Sequence, residues 1–406
     1  SGKCVYTFSG HIDYINSAVF SPDGKYIVTV SWDDTAKLWC VNSGECVHSF
    51  IGHTRDVNSV EFSPDGKYIV TASNDGSAKL WYVNSGECVH TFSEHISWVN
   101  SAAFSSDGKY IVTASNDDSV KLWCVDSGKC VHTFSGQSNG VNSAVFSPDG
   151  KYIVTAYDKT AKLCFVNPDE CVRNFAEHSS NVYNALFSPD GKYIVTASYD
   201  HTAKVWCVDS GECVHTLNGH TGDINSAVFS SNGKYIVTAS DDNTSKLWCV
   251  DSGKCILTFI GHTNNANSAL FSPDGMYVVT TSEDGTAKLW SVDSGRCLHT
   301  FNGLTYYVNS AFFSSDGKFI ITACSDKTAK VWSVEFCVCV HTFNGHTYNI
   351  NSAVFSPDGK YIVTASSDKT AKLWEFQTLQ EIIDKVNSQF KNNPLTDEER
   401  REYYLE

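Results

Sequence analysis

The sequence predicts an all-β fold: a single closed β-propeller of nine four-stranded blades, with a short C-terminal helical tail. Three observations predict it. One stretch recurs nine times, beginning at Gly10, Gly52, Glu94, Gly136, Glu177, Gly219, Gly261, Gly303 and Gly345, in steps of 42 residues with a single step of 41. Each copy has room for four short strands and tight turns and nothing else, the pattern of a propeller blade. The last copy stops after three strands, and the strand it lacks stands at the other end of the chain as Ser1 to Phe8. A copy this small cannot bury its apolar face alone, and stacking in a ring removes the exposed ends. Nine closed blades use every strand, whereas eight plus a spare, or seven plus two, leave unpaired edges.

The second copy justifies each element in order. Residues 57–62 alternate with period two and read as a first strand. Ser63-Pro64-Asp65-Gly66 has proline where a type I turn wants it and glycine to close it. Residues 67–73 are rich in β-branched and aromatic side chains, which suit a second strand. Asn74-Asp75-Gly76 turns the chain into a third strand at 77–83, carrying Trp81, and Asn84-Ser85-Gly86 leads to a fourth at 88–92. The propeller is expected to span 1–376 and the tail 377–406. In the tail, Leu379, Ile382, Ile383, Val386 and Phe390 share one helix face, and Thr396 is placed to cap a second short helix with Glu399 as its partner. Two readings of the tail stay open: packing against the rim of the ring, or docking on another domain.

Four residues recur at fixed spacing: His53, Ser73, Asp75 and Trp81 in the second copy, and their counterparts in the first, third, fifth, sixth, seventh and ninth. On these residues the chain resembles the WD-repeat family of β-propellers over roughly residues 3–376. The resemblance implies a buried tetrad in each blade, joined indole to hydroxyl to imidazole to carboxylate, each bond contributing about 1 kcal/mol. No tryptophan at the tetrad position is followed by Asp (Trp39-Cys40, Trp81-Tyr82, Trp374-Glu375), a departure that touches the name and not the tetrad. Two copies are altered. The fourth has Gln137 for His and Cys164 for Trp and loses the Ser before Asp158, and the eighth has Leu304 for His and Cys324 for Ser. Neutral decay in a redundant ring explains this, as does a loosened ring that flexes around a partner. The near-identity of the copies also resembles the sensor halves of bacterial multidomain signalling proteins of the NACHT/STAND type. That resemblance implies an upstream effector domain, and a start at Ser1 in mid-repeat, without Met, reads as a piece of a longer protein.

Composition excludes several classes of function. A net charge of −15 offers no basic footprint for nucleic acid. No apolar run approaches the ~18 residues that span a bilayer, so no membrane partner is expected. Nine of the sixteen cysteines share one repeat position and four follow a tryptophan. They read as small buried thiols in a reducing, cytoplasmic compartment, with a Cys40–Cys46 pair across a hairpin as the rival reading. Of fourteen histidines, seven belong to the tetrads and six to fourth strands, so no spacing suits a metal site. Calcium at Asp33-Asp34 or Asp117-Asp118 is a weaker alternative. No phosphate loop or nucleophile elbow occurs, so neither enzymatic activity nor a cofactor is expected.

Differences between copies point to the function. They gather after the Gly-His and just before the tetrad Asp, in two loops that share one face of a propeller. The expected partner-binding residues there are Tyr14, Trp32, Arg55, Asp56, Trp98, Tyr157, Tyr183, Tyr199, Tyr306, Tyr307 and Tyr348. Drift in tolerant loops is the plain alternative, but drift does not favour Trp and Tyr over Ser and Gly. The reading is a non-catalytic protein-binding or ligand-sensing propeller that takes a protein or peptide on this face. The alternative is a constitutive scaffold for complex assembly. A small-molecule or hydrolytic propeller needs charges converging in the channel, and the asparagine repeated there (Asn16, Asn58, Asn100 and others) argues against hydrolysis.

Overall fold

The computed structural model describes residues 2–135, 140–166, 171–301 and 308–377. The tail expectations, Thr396 included, lie outside them, as do Tyr306, Tyr307, Gln137 and Leu304. Among the described residues thirty-six strands, numbered β1 to β36 in chain order, form nine four-stranded antiparallel sheets. After β1 (Cys4–Phe8), blade one comprises β2 (Ile15–Phe20), β3 (Tyr26–Ser31), β4 (Thr35–Cys40) and β5 (Cys46–Ile51). Blade two repeats the set as β6 (Val57–Phe62), β7 (Tyr68–Ser73), β8 (Ala78–Tyr82) and β9 (Cys88–Phe92). The first strands of successive blades lie against one another, so they form the inner wall of the ring.

Position in the ring explains each strand's composition. β7 is buried at every residue from Ile69 to Ser73, because sheets pack on both its faces. Strands covered on both sides read as continuous apolar runs rather than alternating ones. The outermost β5 instead buries Phe50 alone. Between blades one and two, Val28, Val30, Ala36, Leu38 and Phe50 pack on Val57, Ile69, Trp81 and Val83. Each such side chain contributes about 1.5–3 kcal/mol on full burial.

The ring closes as the matching termini require. β1 pairs antiparallel with β36 (Ala371–Glu375), beyond β35 (Tyr361–Ser366) and β34 (Ile350–Phe355). Phe8, Ile15, Ile27 and Trp39 share one core cluster with Val363, Ala365, Ala371 and Leu373. Asn351 Nδ2 donates to the carbonyl of Ile15 at 2.8 Å, and Lys369 Nζ to that of Ile12 at 2.7 Å.

A second set of bonds latches neighbouring blades at the outer rim. His48 Nε2 donates to the carbonyl of Asn84 at 3.0 Å, His215 Nε2 to Asp251 at 3.1 Å, and Tyr6 Oη to Asn42 at 2.7 Å. Gly86 lies under His48 with φ +72°, and a Cβ there would stand 2.7 Å from the imidazole. Both the backbone angle and the space call for glycine at this turn.

The cysteines need a correction. All fifteen described cysteines are free, and Cys46, Cys88, Cys255, Cys297 and Cys339 are exposed rather than buried. Their repeat position falls on the outermost strand, where water covers one side. Among the described cysteines only Cys164 and Cys324 are buried, in the two altered blades. In blade four the one-residue deletion shortens the loop to a two-residue turn, with Tyr157 paired to Thr160 and Asp158 at φ 42°.

Candidate functional site

The buried network under the loops is built differently from the expectation. In blade two the indole Nε1 of Trp81 donates to Thr71 Oγ1 at 2.9 Å, and Thr71 Oγ1 lies 2.8 Å from His53 Nε2. His53 Nδ1 lies 2.8 Å from Asp75 Oδ2. The linking hydroxyl is therefore Thr71, not Ser73. Ser73 Oγ accepts from the amide of Asp75 at 3.1 Å and donates to the carbonyl of Arg55 at 2.8 Å, pinning the two loops together. The same correction holds in blade one, where Thr29 rather than Ser31 joins Trp39 to His11. Thr71 and Ser73 point to one face of β7, but only the threonine lies deep enough to reach the indole.

The protons can be placed by elimination. Indole only donates and carboxylate only accepts, so a neutral imidazole donates from Nδ1 to Asp75 and accepts at Nε2 from Thr71. Burial pushes the Asp75 carboxyl up, but hydrogen bonds from His53 and Ser77 outweigh it and hold the group well below the usual carboxylate range. Burial lowers the imidazoles of His95, His178 and His262, against the pull of their aspartates.

Above this network, the inner wall carries a repeated β-bulge. Ile15 pairs with Ser31 and Ser17 with Val30, which leaves Asn16 as the extra residue. A bulge re-aims its side chain. Asn16 Nδ2 donates across the blade boundary to the carbonyl of Asn58 at 2.8 Å, Asn58 to that of Val99 at 3.1 Å, and Asn100 to that of Val141 at 2.9 Å. These amides bridge successive inner strands that share no sheet. In blade five the bulge holds Tyr183, 47% exposed.

The expected partner-binding residues divide into groups. Tyr14 lies 5.5 Å from Trp32 and stacks on Tyr348 at 6.3 Å, a cluster spanning blades one and nine. Tyr183 and Tyr199 form a pair at 6.0 Å in blade five. Trp98, 47% exposed, stands apart in blade three. Tyr157 is a correction: it is 6% exposed, packed in the core between blades three and four with Lys162 over its ring at 5.2 Å. The shortened turn makes it a strand residue. Asp56 is engaged by Asn74 Nδ2 at 3.3 Å, and the Arg55 side chain is exposed. Sequence reading misses Ile12 and Ile96, which are strongly exposed on the same loops where other copies carry Thr54, Thr221 or Ser179.

The acidic residues of these loops interact with one another. The Asp34 carboxyl is pushed up by burial and then by the charge of Asp56. His201, at the left-handed position of its turn with φ 67°, pairs with Asp223 at 3.3 Å. Among the described residues, no three His, Cys, Asp or Glu side chains converge in a metal-holding group. No described helix is long and apolar enough to cross a membrane.

A ring of repeated blades, a buried polar network in each and variable loops at one end define a repeat-built propeller. The family described as WD domain, G-beta repeat matches this chain nine times, at residues 2–40, 44–82, 86–124, 128–164, 169–207, 211–249, 253–291, 295–333 and 337–375. The chain belongs to this WD40 family, whose propellers typically serve protein interaction or scaffolding and are generally non-catalytic. Each matched unit joins the outer strand of one blade to three strands of the next, so the mixed ninth blade follows from the repeat itself. No curated protein matches the chain. Among solved structures, the computationally designed Ika8 protein is similar in fold, with a TM-score of 0.66 and 23% identity, covering 92% of this chain and 100% of that one.

Proposed function

We propose that this propeller is a non-catalytic binding platform that takes a protein or peptide partner on its loop face, centred on blades nine and one. The observation that carries the reading is the Tyr14–Trp32–Tyr348 cluster, with ring centroids 5.5 and 6.3 Å apart. Exposed aromatic side chains in contact have the composition of an interface centre. Asp13 and Asp34 stand one and two residues from Tyr14 and Trp32, and the charge of Asp56 reaches Asp34. That combination favours a segment presenting Lys or Arg beside apolar side chains. In its finer form, occupancy of this face is relayed to a domain joined elsewhere in a longer chain. The free rim thiols support a reducing, cytoplasmic setting.

The test is a peptide-display selection against the intact chain, followed by titration of the selected peptides. Selected sequences should be enriched in basic and aromatic or aliphatic residues. Trp32→Ala and Tyr14→Ala should each weaken binding by about tenfold or more. Tyr82→Ala, an exposed tyrosine at the far end of the blade, should leave binding unchanged. Selection of peptides that ignore both loop substitutions would refute the reading. A constitutive scaffold that assembles a complex through its rim and tail is the second reading, and on it loop-face substitutions would have no effect.

A further inference from the structure

At the end of the strands opposite the loop face, blade eight departs from every other copy. Its third-to-fourth strand turn is Glu335-Phe336-Cys337-Val338, where the third copy has Asp126-Ser127-Gly128-Lys129 and most others are similar. Phe336 is 70% exposed, and Cys337 takes the left-handed position that glycine fills elsewhere, at φ 54°. Next to it in blade seven, Met276 stands where the other copies have lysine, and it too is exposed. Between these blades runs a groove of about 810 Å³, lined by Tyr277, Leu298, Phe319, Val334, Phe336 and Val338. Two changes from polar to apolar, Phe336 and Val338 in place of the third copy's Ser127 and Lys129, fall on this groove, while Met276 lines the adjoining one between blades six and seven.

The course of the chain says what covers the groove between blades seven and eight. β36 is the third strand of its blade, so the chain leaves it at the end where this groove lies. Phe376 packs edge-on against Phe319 at 4.9 Å, and Phe319 also lines the groove. The carbonyl of Gln377 accepts from His341 Nε2 at 3.3 Å, the same rim latch that His48 makes with Asn84, which ties the chain to blade eight as far as Gln377. The next residues carry Leu379, Ile382, Ile383, Val386 and Phe390, an apolar stripe at helical spacing. The helix that this spacing predicts over 379–390 would be about 18 Å long, enough to run along the rim of a neighbouring blade.

We propose that the blade seven–eight groove seats this chain's own C-terminal segment, with the Leu379–Phe390 stripe packed on Phe336, Val338 and Leu298. The tail then acts as a strap across the blades next to the ring's closure.

Hydrogen exchange of the full chain, read by mass spectrometry, tests this at two protein concentrations. Amides in 379–390 should exchange at least about tenfold more slowly than an unstructured segment. Phe336→Ser with Val338→Lys should abolish that protection, and Ile383→Asp with Phe390→Asp should raise exchange at 335–338. The groove changes restore the residue types of the third copy, so the fold tolerates them; the tail pair supplies an independent route. A tail that exchanges freely in the unmodified chain, or that ignores the groove substitutions, overturns the proposal. Protection that grows with concentration alongside dimers in light scattering assigns the groove to a second copy and overturns it as well.

Discussion

The indole nitrogen of Trp81 lies 2.9 Å from the hydroxyl of Thr71, and through that oxygen the third strand of the blade is tied to the loop bearing His53. Removing the hydroxyl leaves a buried indole N–H and a buried imidazole nitrogen without partners. Thr71→Val should therefore cost about 2–4 kcal/mol, from two orphaned polar groups at about 1–2 kcal/mol each. Ser73→Ala, which loosens a loop contact only, should cost about 1 kcal/mol. Urea denaturation of the two variants side by side decides the order. Equal losses would return the linking role to the serine.

Blade four inverts the experiment. Thr155 occupies the position of Thr71, but among the described residues its buried Oγ1 has no hydrogen-bond partner, since Cys164 has replaced the tryptophan. There Thr155→Val removes an unsatisfied group instead of creating two. Stability should hold or rise by up to about 1 kcal/mol. The same substitution with opposite sign in two copies of one repeat is a sharp prediction, and a loss above about 1 kcal/mol in blade four would contradict it.

Glu61 is the one acid at a position that holds Val19, Ala103, Val145, Leu186, Val228, Leu270, Phe312 and Val354 in the other copies. Burial pushes its carboxyl up to about 7, against a backbone hydrogen bond from Phe104. A raised folded-state value means the folded protein holds a proton that the unfolded chain releases. Stability is therefore lost as pH rises from about 4.5 toward 7. Glu61→Val should stabilise the ring by about 1–3 kcal/mol at pH 8 and by less at pH 5. Denaturation midpoints at the two pH values test it. A gain independent of pH would show that packing, not ionisation, is responsible.

Acid should unfold the protein in two stages. The lowered imidazoles of His95, His178 and His262 stay neutral while their unfolded counterparts take protons below about 6.5, so stability falls as pH drops through that value. The lowered carboxyls of Asp33, Asp75, Asp242 and Asp368 contribute stability that is present above about 3.9 and lost below it. Midpoints measured in the Glu61→Val background, which removes the opposing term, should show a first decline beginning near pH 6.5 and a second below about pH 4. A flat profile between pH 7 and 5 would contradict the neutral imidazoles.

The ring was legible because it is periodic: the period gives the blade, and Ser1 to Phe8 repeats the strand that the last copy lacks. What the repeats could not resolve were features that recur together. Thr71 and Ser73 stand two apart on one strand, and their counterparts recur as a pair in most blades, so recurrence could not say which hydroxyl meets the indole. Distance does. The bulge at Asn16 was hidden because alternation carries no mark of an extra residue, although an asparagine recurring at the head of an apolar strand was its trace. Cys46 misled because a repeated position says nothing about which side of the ring it faces. Tyr157 misled because a deletion of one residue moved it from loop to strand. The aromatic residues at 14, 32 and 348 were visible as departures, but that they touch across the boundary between blades one and nine depends on the ring being closed.

The pairing of Cys4 with Trp374 sets the order in which this protein can mature. The amide of Glu375 also donates to the carbonyl of Lys3 at 3.0 Å, and contacts that join the two ends of the chain in this way cannot form until the ninth repeat has left the ribosome. Until then the nascent chain is an arc with an unpaired strand edge at each end, open to annealing with a neighbouring copy. The last step of folding is thus also the step that retires both sticky ends, and its rate, more than the strength of any single blade, should govern how much of the chain reaches the closed state in a crowded cell.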